Sequence, residues 1–185
     1  MKRLGLLGVL VAAVMSGGCS IMAPQYSASM ENVQRLKDNM PAAAKAGTFT
    51  AATDGKTNDA ISLRASSMGS PYGTYANYLG EAVKQELQMA GKLNPTTDLQ
   101  ISGVLMKNEI DVSGFGTGYG NIEARFVVKK GDVVRYDQLK SVHSEWESSF
   151  AGAVAIPRGR DEYGRLVQRL LAALYADKSF LDSLR

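Results

Sequence analysis

A single cysteine and a single histidine in 185 residues leave this chain little with which to build a metal centre, because protein zinc sites draw on several Cys, His or acidic ligands held together. No second thiol exists for an intrachain disulfide. Charge of one sign is scarce as well: 21 Lys and Arg stand against 18 Asp and Glu, giving +3 at neutral pH. Two of those cations, Lys2 and Arg3, lie at the extreme N-terminus. The remainder lacks the concentrated basic excess of a nucleic-acid binder. A long apolar run is also missing. The stretch from Leu4 to Val14, broken by Gly5 and Gly8, is the most apolar, yet it falls short of the ~20 residues a spanning helix needs. No internal repeat or extended low-complexity tract is apparent.

What is present at the start is a positive residue pair, an apolar stretch, the small residues Ser16, Gly17 and Gly18, and then Cys19. This is the layout of a secretory signal with small residues before its cleavage point. The segment Met15-Ser16-Gly17-Gly18-Cys19 resembles the lipobox of bacterial lipoproteins. The resemblance implies cleavage between Gly18 and Cys19, diacylation of the Cys19 sulfur and acylation of the new amino group. Ser16 stands where that family prefers leucine. Ser20, in place of aspartate, implies delivery to the outer membrane in Gram-negative members. The alternative is an ordinary thiol at the end of a plain secretory signal. Each buried methylene contributes ~0.8 kcal/mol and one acyl chain holds only marginally, so two or three on one cysteine would hold the protein on its membrane.

Residues 1–18 thus read as signal peptide, 19–46 as a lipidated tether and 47–185 as one domain. Within the tether Met30, Val33, Lys37 and Met40 share a helical face, with Ser29 as cap and Pro41 as terminator. It could lie free or pack on the domain. Thr48–Thr50 and Ile61–Arg64 are β-prone, separated by a polar turn over residues 53–59. Ser70 and Pro71 are expected to open a helix, whose stripe is Tyr75, Tyr78, Leu79, Ala82, Val83, Leu87 and Ala90. Gly91 and Pro95 close it.

Leu99 to Val112 reads as a long strand whose apolar parity slips at Gly103, suggesting a bulge there. Ile122, Ala124, Phe126 and Val128 alternate with polar residues, and Lys130-Gly131-Asp132 makes a turn. The returning strand carries Val142, Trp146 and Phe150 on one face, with His143, Glu145 and Glu147 on the other. Asp161 is expected to cap a last helix with the stripe Tyr163, Leu166, Val167, Leu170, Leu171 and Leu174. The expected fold is α+β, two helices packed on one face of a mostly antiparallel sheet.

Catalytic chemistry has little to stand on, and no cofactor is implied. The glycines from Gly114 to Gly120 precede a strand, so they lack the helix N-terminus that phosphate-binding loops use. They read as a hairpin connection in which Phe115 and Tyr119 could make contacts. His143 would need a nucleophile and an orienting acid to serve a hydrolase. Lys129, Lys130, Arg135 and Lys140, with Arg158 and Arg160, form a modest basic cluster. They are either solubilising surface or a contact for anionic head groups or lipopolysaccharide phosphates.

From Ala46 to Phe180 the order of elements resembles the small YajG-type outer-membrane lipoproteins and, more distantly, the lipopolysaccharide-assembly lipoprotein LptE. The first helix, the strand Leu99-Gln100-Ile101-Ser102-Gly103-Val104-Leu105, the hairpin through Trp146 to Phe150 and the closing helix carry the likeness. The likeness carries no catalytic signature, and the LptE comparison implies a role beside an outer-membrane barrel. The expected function is that of a non-enzymatic, periplasm-facing outer-membrane lipoprotein that binds or stabilises a partner in envelope assembly or transport. The alternative is capture of a lipid or glycan. Likeness of fold does not by itself fix function.

Overall fold

A computed structural model describes residues 20–52 and 59–185. Gly18, Cys19 and residues 53–58 of the polar turn lie outside the described residues. In chain order the elements are β1 (Ser20–Met22), α1 (Met30–Asn39), β2 (Lys45–Ala51), β3 (Ala60–Leu63), β4 (Ser66–Gly69) and α2 (Tyr75–Met89). They continue with β5 (Leu99–Asp111), β6 (Thr117–Lys130), β7 (Val133–Glu147), α3 (Gly152–Tyr175) and α4 (Lys178–Ser183). The main sheet has the order β2-β5-β6-β7, and a small sheet has the order β1-β4-β3.

β5, β6 and β7 are long antiparallel neighbours, while β2 joins β5 in parallel. Alternation decides which face is inside. Ile122, Ala124, Phe126 and Val128 are fully buried on the face covered by the helices, where α3 packs on β6 and β7 and α2 on β2 and β5. Every residue of the expected α2 stripe is buried, as is every residue of the α3 stripe. A buried leucine or phenylalanine contributes about 1.5–3 kcal/mol, so these two helices supply most of the drive to cover that face. The fold is α+β, with both long helices on one side of the sheet.

Several boundaries differ from the sequence reading. α2 begins at Tyr75, because Ser70 and Pro71 form a turn instead of a helix start. The Ser70 hydroxyl accepts from the Tyr72 N–H at 3.2 Å, and Gly73 takes a left-handed φ of 84°. Thr74 is the cap, its Oγ1 accepting from the Asn77 N–H at 3.1 Å. α3 starts nine residues before Asp161, at Gly152, and runs through Pro157. Its cap residue, Ala151, has no capping side chain, and an internal proline ordinarily ends a helix. The bulge of β5 falls at Met106, between Leu105 and Lys107, and not at Gly103. Gly103 instead faces the Phe49 ring, whose Cε1 would lie 2.7 Å from an added Cβ. Phe150 lies beyond the end of β7 and is exposed.

The stretch expected as tether is built into the domain. β1 pairs with β4, and Ser29 caps α1 by accepting from the Asn32 N–H. The buried face is Asn32, Val33, Leu36 and Met40, with Met30 and Lys37 outward. The polar Asn32 belongs inside because its Nδ2 donates to the Gln168 carbonyl at 2.9 Å and to the buried Glu86 carboxylate. Among the described residues no helix is long and apolar enough to cross a membrane.

Candidate functional site

Three segments converge at one end of the main sheet: the 112–116 connection between β5 and β6, residues 148–151 leading into α3, and the turn from β3 to β4. Arg64 joins them. It occupies the two-residue turn between the paired Leu63 and Ser66 at a φ of 56°, a conformation costly for a side chain of this size. Its Nε donates to the Val112 carbonyl at 2.8 Å. Its Nη2 donates to the carbonyls of Gly114 at 3.2 Å and Ser149 at 2.9 Å, and Nη1 to that of Phe150. All four acceptors are backbone oxygens. The guanidinium offers donors in a fixed planar fork, so one side chain sets the geometry of two loops.

That clamp presents an aromatic pair. The Phe115 and Phe150 rings stack with centroids 5.0 Å apart and planes 10° from parallel, yet they are 80% and 66% exposed. Val154, one turn into α3 from Phe150, is also exposed. Phe115 stands out in the sequence as an aromatic within a glycine-rich connection. Arg64 and Phe150 were not, because nothing local in the sequence shows that residues so far apart share one tip.

Tyr119 is separate from this tip. It already lies in β6 and stacks on His143, with ring centroids 6.0 Å apart. Gly118 and Gly120 are strand residues too. An added Cβ at Gly118 would come within 2.5 Å of the Trp146 indole, so this glycine makes room for a ring. His143 Nδ1 is 2.8 Å from Asn121 Oδ1, and Nε2 is 3.1 Å from Glu145 Oε1. Both ring nitrogens thus face polar partners on the open side of the sheet. Glu147 follows on the same strand face.

The basic residues do not form one patch. Lys129 and Lys130 are exposed at the β6–β7 turn, at the opposite end of the sheet from Phe115. Arg135 donates to the Arg185 carbonyl. Lys140 points to the helix side and pairs with Asp177 at 2.6 Å, where Tyr136 donates to the same carboxylate at 2.8 Å. Burial works to raise the Asp177 carboxyl, but hydrogen bonds from Lys140, Tyr136 and the Ser179 N–H outweigh it and bring it down to about 2. Arg158 donates to the Glu147 carbonyl, and Arg160 lies 3.8 Å from Asp161.

Two further features are polar. A groove of about 610 Å³ runs between β2 and α2, lined by Phe49, Tyr72, Asn77, Glu81 and Lys84 among others. Under α1, Glu86 is fully buried. It accepts from the Tyr26 hydroxyl, the Ser29 N–H and the Asn32 amide. Burial pushes its carboxyl up, and these hydrogen bonds only partly offset the rise. Among the described residues no three His, Cys, Asp or Glu side chains are placed to hold a metal ion.

No family model matches the chain. No curated protein matches it either. Among solved structures it is similar to the crystal structure of protein XCC0632 from Xanthomonas campestris, described under family model DUF330, with a TM-score of 0.51. That likeness covers 84% of this chain and 95% of the other at 12% identity. At such identity it shows a shared fold alone.

Proposed function

We propose that this chain is a lipoprotein of the Gram-negative outer membrane, held through acylated Cys19, and that its domain binds another envelope protein without catalysing a reaction. One observation carries the binding role. α2 and α3 cover one face of the main sheet, while among the described residues no element packs on the other. That open face mixes half-buried Val104 and Val127 with the exposed Leu139, Tyr119 and His143. Its blend of apolar, aromatic and charged groups is that of a protein-binding surface more than of a catalytic cleft. The resemblance to YajG-type lipoproteins points the same way.

A photo-activatable residue at Leu139 tests the reading in intact cells. The expected result is one discrete crosslinked envelope protein, in a membrane fraction from which Cys19→Ala is lost. Random labelling at Leu139, or retention of a correctly cleaved Cys19→Ala chain, overturns it.

The β2–α2 groove favours a second reading, capture of a polar ligand such as a glycan. Tyr72, Asn77 and Lys84 offer hydrogen-bonding groups around Phe49. Native mass spectrometry of protein purified from its own membrane would reveal a ligand mass, and its absence would remove this reading.

A further inference from the structure

The described chain starts at the same end of the molecule as the exposed aromatic pair. β1 runs parallel to β4 with Ser20 opposite Ser67, and Ser67 follows Ser66, the residue that closes the Arg64 turn against Leu63. Neighbouring strands lie ~4.8 Å apart, so Ser20 sits beside the turn whose arginine grips the carbonyls of Val112, Gly114, Ser149 and Phe150. Ser20 is also the residue after Cys19. No length of free chain intervenes between the proposed lipid and the folded domain, since residue 20 is already a paired strand residue.

A domain attached so closely cannot choose its orientation freely. We infer that the Arg64 tip is the membrane-facing end of the domain, and that the Phe115–Phe150 pair and Val154 rest in the lipid head-group layer around the anchor. The inference rests on the lipoprotein reading. Two exposed phenylalanines are an unfavourable display in water, and aromatic rings are well suited to the interface between head groups and acyl chains. Alone they would bind a vesicle weakly. Held within reach by the acyl chains, they meet the surface as an intramolecular event, for which weak contacts suffice. The same geometry directs the β6–β7 turn, with Lys129 and Lys130, away from that membrane.

Acylation of Cys19 leaves no free thiol, so a new cysteine can carry a single fluorescent label. Gly116→Cys suits the tip, because a side chain there meets nothing within 4 Å. Asp132→Cys, at the far turn, is the control. The full lipidated protein would be placed in vesicles of phosphatidylethanolamine and phosphatidylglycerol containing lipids spin-labelled at the head group. At least twofold stronger quenching at position 116 than at 132 is expected, with the 116 label also shielded from aqueous iodide. Phe115→Ser with Phe150→Ser should reduce that difference while the acylated N-terminal peptide keeps its mass. Equal iodide access at both positions in an acylated chain overturns the orientation alone. Shielding from iodide without lipid quenching overturns it too, since a protein then covers the tip. A mature N-terminal peptide without acyl mass overturns both the anchor and the orientation.

Discussion

The Tyr26 hydroxyl donates to Glu86 Oε1 across 2.6 Å, joining the N-terminal segment to the last turn of α2 inside the core. Together with Ser29 and Asn32 it makes the approach to α1 part of the domain. Glu86→Ala should cost about 3 kcal/mol, because several buried donors lose their acceptor at once. Tyr26→Phe should cost about 1.5 kcal/mol. Urea unfolding measures both. Hydrogen exchange should show α1 opening ahead of the sheet in Glu86→Ala and not in Tyr26→Phe.

The same carboxyl carries a pH signature. Burial raises its folded value above that of the unfolded chain, so the folded state holds the proton more tightly. Its contribution is therefore complete below the ordinary carboxylate range and declines as pH rises through the raised folded value. Glu86→Gln should flatten that decline. Urea midpoints of the two proteins that stay parallel from pH 4 upward would refute the expectation.

Asp177 has the opposite sign. Its folded carboxyl lies at about 2, below its unfolded value. The stability it gives is present above the unfolded value and is lost as pH falls from about 4 towards 2. Asp177→Asn should remove about 1–2 kcal/mol at neutral pH and make α4 insensitive to acid in that window. Unfolding midpoints at pH 5 and pH 3 supply the check.

Arg64→Lys keeps the charge but cannot reproduce four carbonyl contacts from one planar fork. A loss of about 2 kcal/mol is expected, with faster hydrogen exchange through residues 113–116 and 148–150 and little change in β6. Uniform destabilisation without loop-specific exchange would show that Arg64 is no clamp.

Gly118→Ala places a methyl group where the Trp146 indole lies, 2.5 Å from its nearest atoms. Overpacking of this kind costs about 1–3 kcal/mol. Trp146 is the sole tryptophan, so its emission reports the displacement directly.

How much of this could be read from the sequence depended on how far each signal reaches. The stripes of α2 and α3 and the alternation of β6 are local periodicities, and each face was read correctly from residues such as Leu79, Leu170 and Phe126. The parity of β5 was misplaced because Val104 and Met106, though apolar, face the open side, while the polar Asn108 turns inward. β4, as Ser66-Ser67-Met68-Gly69, has no β-branched residue, and forms because β1 and β3 flank it on both sides. At the tip, Phe115 stood out locally. Its stacking partner and its clamp come from the start of α3 and the end of β3, and only the assembled fold brings them together.

The parallel pairing of β2 with β5 has a consequence for the order of assembly. β5, β6 and β7 follow one another as hairpins and can pair as soon as they exist. β2 must wait until the chain has passed through the small sheet and α2, since a parallel partner is reached only by a crossover. Closing that longer loop carries the larger entropy cost. Phe49, which meets Phe126 edge to face at 6.4 Å between ring centroids, has no counterpart before then. The earliest main-sheet strand to be synthesised is thus the one whose partner lies farthest along the chain.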